Sequence, residues 1–182
     1  MNILKKINYT FLTILLLGSV FAFTGQPEEY IIKGVLLEKI STFIEWPDEA
    51  IANSKEDKFV IGIMGKHKFG QVLQDIYSKR KIQNKELVVK YVSSLSEINN
   101  CRAVFIPKLT ENELKEILDF LKKKPILTLA DTDGYAEKGV HINFYTEENN
   151  IRFEINEKSV KESGINMNHL LLSLAKLVGS EK

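Results

Sequence analysis

Cysteine occurs once in these 182 residues, tryptophan once, histidine three times and proline four times. The single thiol, Cys101, excludes an internal disulfide and every CxxC or multi-cysteine zinc site. None of His67, His141 and His169 has a second ligand four residues on, and no HExxH occurs, so no metal site is expected. Neither sign of charge dominates. Lys and Arg number 25 against 24 Asp and Glu, for a net charge of +1, with no strongly basic block. Phosphate binding needs a clustered positive surface, so nucleic acid is excluded as a main partner. Apolar residues at 44% and charged residues at 27% exclude collagenous, disordered and multi-span membrane classes. What remains is one domain's worth of ordinary globular sequence.

The first residues change the address. Lys5 and Lys6 precede an almost uninterrupted apolar run over residues 7–23, and Val20 and Ala22 supply small residues before the chain turns polar at Thr24. This reads as a secretory signal peptide over residues 1–22, followed by one domain over residues 23–182. The alternative is an uncleaved anchor over residues 7–23, since that run is near the lower length limit for spanning a bilayer. Cleavage removes Lys5 and Lys6, leaving 23 basic against 24 acidic side chains and a net charge of −1. The expected location is the periplasm, with membrane contact only through the signal peptide or a partner.

Along the mature chain, Ile32, Val35, Leu36, Ile40, Phe43 and Ile44 recur at helical spacing, predicting a helix over residues 28–45 that Trp46-Pro47 ends. Residues 58–64 (KFVIGIM) are apolar on both faces, which suits a central strand covered on both sides. A helix carrying Phe69, Val72, Leu73, Ile76 and Tyr77 follows, then strands over 87–92 and 103–106. Thr110 with Glu113 three residues on forms a capping box for a helix that Pro125 stops. A fourth strand covers 126–130. Residues 140–145 and 151–156 then alternate apolar and polar about a turn at 147–150, predicting a hairpin with one wet face. A final helix is expected to carry Leu171, Leu174, Ala175 and Val178 on one face. The fold class is α/β: a single three-layer α/β/α sandwich whose mostly parallel sheet has a C-terminal antiparallel hairpin edge.

Ligands in such sheets bind beyond the carboxyl ends of the strands. Gly65-Lys66-His67-Lys68-Phe69-Gly70 lies at one of those ends, where a glycine turn, two lysines and a helix N-terminus could hold an anion. Its glycine spacing matches neither GxGxxG nor GxxxxGK[ST], and the bland reading is a tight turn with solvated lysines. Asp131 and Asp133 bracket Thr132 after the fourth strand; they could serve a cation, but capping of the following turn is the simpler role. A phosphoreceiver needs acids where this chain has Gly65-Lys66 and Pro107-Lys108. No GxSxG elbow exists, and Cys101 at a strand start reads as a small buried thiol. The residues offer no catalytic constellation, and no cofactor is expected.

Several stretches in order carry a family resemblance. They are Phe43-Ile44-Glu45-Trp46-Pro47, Ile61-Gly62 leading to Phe69-Gly70, and Cys101-Arg102-Ala103-Val104-Phe105-Ile106. Then come Ile126-Leu127-Thr128-Leu129-Ala130-Asp131, Tyr135-Ala136-Glu137-Lys138-Gly139-Val140-His141-Ile142 and Ile151-Arg152-Phe153-Glu154-Ile155-Asn156, ending with Gly164-Ile165 and residues 170–178. Over residues 30–178 the chain resembles the YfiR family of exported bacterial proteins. The resemblance implies a regulator rather than an enzyme. A YfiR-like protein restrains the outer part of a membrane-bound diguanylate cyclase, and its release raises cyclic di-GMP and favours biofilm formation. The family also forms dimers, so a homodimer is implied. YfiR uses disulfides in redox control, which a chain with Cys101 alone cannot do within one molecule.

The expected function is therefore an exported, non-catalytic domain that binds the outer domain of a membrane sensor or diguanylate cyclase. Two contact surfaces are expected. One is the wet hairpin face through His141, Tyr145, Arg152 and Glu154; the other is the loop set Lys66, His67 and Phe69 with Asp131 and Asp133. The alternative is a periplasmic small-molecule binding module with its ligand at the strand ends.

Overall fold

The computed structural model describes residues 25–47 and 58–179. The expected signal peptide, its anchor alternative and the polar stretch 48–57 lie outside the described residues. The first element, α1 (Gly25–Ser41), has Glu28 in its first turn and Lys39 in its last, both favourable to the helix dipole. It ends four residues sooner than its periodicity predicts. Thr42 and Phe43 turn back onto the Lys39 and Ile40 carbonyls. β1 (Ile44–Glu45) then pairs antiparallel with β9 (Asn166–Met167).

The rest of the chain runs β2 (Lys58–Met64), α2 (Lys68–Tyr77), β3 (Lys81–Ile82), β4 (Lys85–Val92), α3 (Leu95–Ile98) and β5 (Ala103–Ile106). It continues with α4 (Glu111–Leu121), β6 (Leu127–Ala130), β7 (Ile142–Glu147), β8 (Asn150–Asn156), α5 (Glu157–Ser163), β9, α6 (His169–Leu174) and β10 (Lys176–Val178). Among the described residues the main sheet has the order β10-β8-β7-β6-β5-β2-β4-β3. The β4-β2-β5-β6-β7 block is parallel, β7 and β8 form the antiparallel hairpin, and β10 returns parallel to β8.

The sheet is covered on both sides, so β5 at its centre is apolar and buried at every position. In β5, Ala103 and Phe105 enter one core while Val104 and Ile106 enter the other. The first core holds Leu37 and Ile40 of α1, Leu73 of α2, Val160 of α5 and Leu171 of α6. The second holds Ile98 of α3 and Leu114, Ile117 and Leu121 of α4. The Thr110 capping box forms as its sequence predicts, with Thr110 Oγ1 accepting from the Glu113 amide.

Two expectations about faces are corrected. The buried stripe of α1 is Tyr30, Lys33, Leu37 and Ile40, whereas Ile32 is 42% exposed. Gly34 is the reason: a Cβ there would lie 2.7 Å from Ile76 Cδ1, and the Tyr77 hydroxyl donates to the Gly34 carbonyl. α2 packs against the glycine side of α1, and the same roll turns Lys33 inward. At the other end, the expected last helix stops at Leu174. Ala175 is extended, and Lys176–Val178 pair with Glu154, Ile155 and Asn156 on the outer side of β8. Covering that row of backbone groups replaces a helix that would have left it open.

Candidate functional site

The strand order reverses at β2 and β5. The crossover from β2 through α2 reaches β4 on one side, and the chain then returns past β2 to β5 on the other. A crevice outside the carboxyl ends of these two strands follows from that reversal. Gly65 turns the chain out of β2 with φ of 63°, a left-handed conformation that suits glycine, and its amide donates to the Val92 carbonyl. His67 then caps α2, its Nδ1 accepting from the Phe69 amide at 3.3 Å. This bond fixes the ring against Phe105 of β5, with centroids 4.9 Å apart.

The space above is filled by α1. The Tyr30 ring stands edge-on to His67 at 5.3 Å, and its hydroxyl donates to Asp131 Oδ2 at 2.9 Å. Lys33, 2% exposed, donates to the same carboxylate oxygen at 2.7 Å and pairs with Glu29 of its own helix at 2.5 Å. The ammonium groups of Lys33 and Lys68 each lie 4.6 Å from the centre of the Tyr30 ring. Burial, and then the hydrogen bond to Asp131, raise the Tyr30 hydroxyl well above the usual phenol range. Burial lowers the His67 imidazole; Asp131 opposes that shift while Lys68 and Lys33 add to it. The arrangement is a closed set of two acids and two cations about one tyrosine. It locks α1 to the ends of β2, β5 and β6.

Of the loop residues expected here, the fold brings His67, Phe69 and Asp131 together and leaves Lys66 and Asp133 exposed on the rim. Phe69 is corrected as a contact residue: it is fully buried, 4.9 Å from Phe105, and serves the core. Asp131 does not act as a turn cap but is the partner of Tyr30 and Lys33. Sequence reasoning missed Glu29, Tyr30 and Lys33. The available signal was a lysine at an inward position of the spacing Tyr30, Lys33, Leu37, Ile40.

The hairpin surface is also corrected. His141 is buried; its Nδ1 accepts from the Thr128 amide at 3.2 Å, and its own amide donates to Thr128 Oγ1 at 2.7 Å. Burial pushes its imidazole down to about 4. Glu154 is 7% exposed beneath Lys176 of β10, which donates to its Oε1 at 2.8 Å. Thr128 encloses His141, and Lys176 of the added strand reaches over Glu154, so this face is dry at both residues where alternation predicts it wet. Only the tip stays open, where Arg152 bridges to Glu147 at 2.7 Å beside half-buried Tyr145. A cavity of about 170 Å³ opens near His141, lined in part by Thr128, Ser159 and Lys123.

Cys101 is buried, its thiol pushed up to about 11 by burial, and a Cβ on Gly62 would approach its Sγ to 3.1 Å. It is a packing residue under the central strand. Among the described residues, no three His, Cys, Asp or Glu side chains gather to hold a metal ion, and no helix is long and apolar enough to cross a membrane.

No curated protein matches this chain. The model of the YfiR/HmsC-like family matches residues 30–176, from Tyr30 at the crevice to Lys176 in the last strand, and the chain belongs to that family.

Proposed function

We propose that this chain is an exported, non-catalytic regulator that binds the outer domain of a membrane-bound sensor, in the manner of YfiR-like restraint of a diguanylate cyclase. The observation that carries the reading is the filled crevice. Where α/β enzymes hold substrate, this chain holds its own Tyr30 and Lys33, fixed by Asp131 and Glu29. Family membership points the same way. Export rests on the apolar run over residues 7–23 after Lys5 and Lys6.

The partner-facing surface is the outer side of α1 with the rim of the crevice. Ile31 and Ile32 are 47% and 42% exposed on that helix, and Lys66 and Asp133 are exposed on the rim. The regulator binds one conformation of the sensor more tightly than the other and shifts that equilibrium; a hundredfold difference in affinity corresponds to about 2.7 kcal/mol. Dimerisation belongs to the same proposal and is read from the mass of the purified chain in solution.

The test is copurification of tagged residues 23–182 with solubilised membranes of the native host. One sensor or cyclase is expected to be enriched. An Ile31→Asp, Ile32→Asp variant is expected to lose it while melting at an unchanged temperature, and cells carrying that variant should hold more cyclic di-GMP. A clean preparation without a membrane partner, whose melting temperature rises with a small ligand, overturns this reading in favour of a ligand-binding module.

A further inference from the structure

Strand β10 is held by little. It contributes three residues to the sheet, joined in parallel to Glu154, Ile155 and Asn156 of β8. Parallel pairing is slightly weaker per residue than antiparallel, and Lys176 and Leu177 are exposed. The six-residue helix before it is anchored by Leu171, while its Leu170 and Leu174 are 52% and 72% exposed. No described element follows β10. Beneath it lies a carboxylate that needs a cation: Glu154 is 7% exposed, and its Oε1 accepts from Lys176 at 2.8 Å. On the same side of the sheet, Asn143 reaches Glu154 Oε2 at 3.5 Å, and its own Oδ1 is buried with no partner. Lys176 also lies 5.8 Å from the Tyr145 ring centre. On the opposite side, Leu177 shares a face with Ile155, Phe153 and Ile151 of β8.

We infer that the outer edge of β8 is a strand-exchange site: β10 is its resident occupant, and an extended partner segment with a basic residue followed by two apolar residues replaces it. The pattern is read from Lys176-Leu177-Val178. The basic residue meets Glu154, the first apolar residue meets the Ile155 face, and backbone hydrogen bonds supply the rest. Charge selects the occupant, since a strand without a cation leaves a buried carboxylate unpaired. The inference stands apart from the proposed α1 surface and does not depend on which sensor binds there.

The experiment uses the full chain and a fluorescein-labelled peptide carrying residues 174–179, read by fluorescence anisotropy. Lys176→Ala weakens the resident strand without touching the core, and it is expected to bind the peptide about tenfold more tightly than the unaltered chain. A peptide with glutamate in place of its lysine is expected to lose that binding. Adding Glu154→Gln to the Lys176→Ala chain should erase the preference between the two peptides. Lys176→Arg should restore the weak binding of the unaltered chain, which separates loss of charge from loss of fold. Equal binding of both peptides to the Lys176→Ala chain, or no binding to any of the four chains, overturns the inference.

Discussion

Removing the Asp131 carboxylate tests the lock at the crevice. Asp131→Ala takes away the acceptor for both Tyr30 and Lys33, at 2.9 and 2.7 Å. Hydrogen bonds to a charged group each contribute about 1.5–3 kcal/mol. Stripping one partner from a buried ion pair costs about 3–5 kcal/mol. Lys33 is not left alone, however, because Glu29 stays at 2.5 Å with its side chain 33% exposed. The expected loss is therefore about 3 kcal/mol, at the lower end of that range. With a urea slope near 2 kcal/mol per molar, the unfolding midpoint falls by about 1.5 M. Lys33→Met in the same chain removes the stranded cation and fills its place with apolar atoms. The double variant is expected to recover about 2 kcal/mol relative to Asp131→Ala, since an apolar replacement of a buried pair is often close to neutral. Urea unfolding followed by tryptophan fluorescence reads the unaltered chain, Asp131→Ala, Lys33→Met and the double variant, with Trp46 7% exposed in the first core. Strict additivity of the two costs would refute the claim that these charges act as one unit.

His141 gives the chain an acid limit. Its imidazole titrates near 6.5 when unfolded and near 4 when buried. Between those values the unfolded chain binds the extra proton, so stability is complete above about pH 6.5 and falls by about 3 kcal/mol as pH drops towards 4. His141→Gln should flatten that slope in urea titrations at fixed pH, and an unchanged slope assigns it to other groups. Lys123 has φ of 64° at the exposed end of α4, a left-handed conformation that strains a side chain. Lys123→Gly is expected to stabilise the chain by about 1 kcal/mol and raise the melting temperature by about 2–4 °C, measured by calorimetry. Cys101, with its thiol near 11, is about one part in a thousand thiolate at pH 8. Iodoacetamide should label it only after urea is added, and rapid native labelling contradicts its packing role.

The layered fold was legible because buried strands leave a strong mark. Residues 59–64 and 103–106 are apolar throughout, and a strand with no polar face must be covered on both sides. The Thr110–Glu113 box and the hairpin turn are local chemistry, and both formed where expected. Half of the crevice was legible for the same reason: Gly65, His67 and Asp131 follow strand ends, and strand ends can be found by pattern alone. The errors concern what covers a face, and period-2 alternation carries no information about that. The polar side of β7 and β8 was read as wet because its residues are polar. It is dry around Glu154 because Lys176–Val178, read as helix, form a strand beside it.

The remaining half of the crevice depends on the roll of α1 about its axis. A helix with Ile31, Ile32, Val35, Leu36, Leu37 and Ile40 is apolar nearly all round, so its sequence does not choose a face. The choice is made by Gly34, against which α2 packs, and it turns Lys33 inward and Ile32 outward. Both consequences bear on function. Lys33 inward requires Asp131, and together with Tyr30 they close the place where a substrate would sit. Ile31 and Ile32 outward leave apolar surface beside that closed site. A chain evolved to hold a small substrate gains nothing from filling its own crevice with an ion pair while exposing isoleucines next to it. A chain whose task is to present a rigid helix to a partner gains from both, because the locked charges fix α1 and the exposed side chains give the partner something to bury.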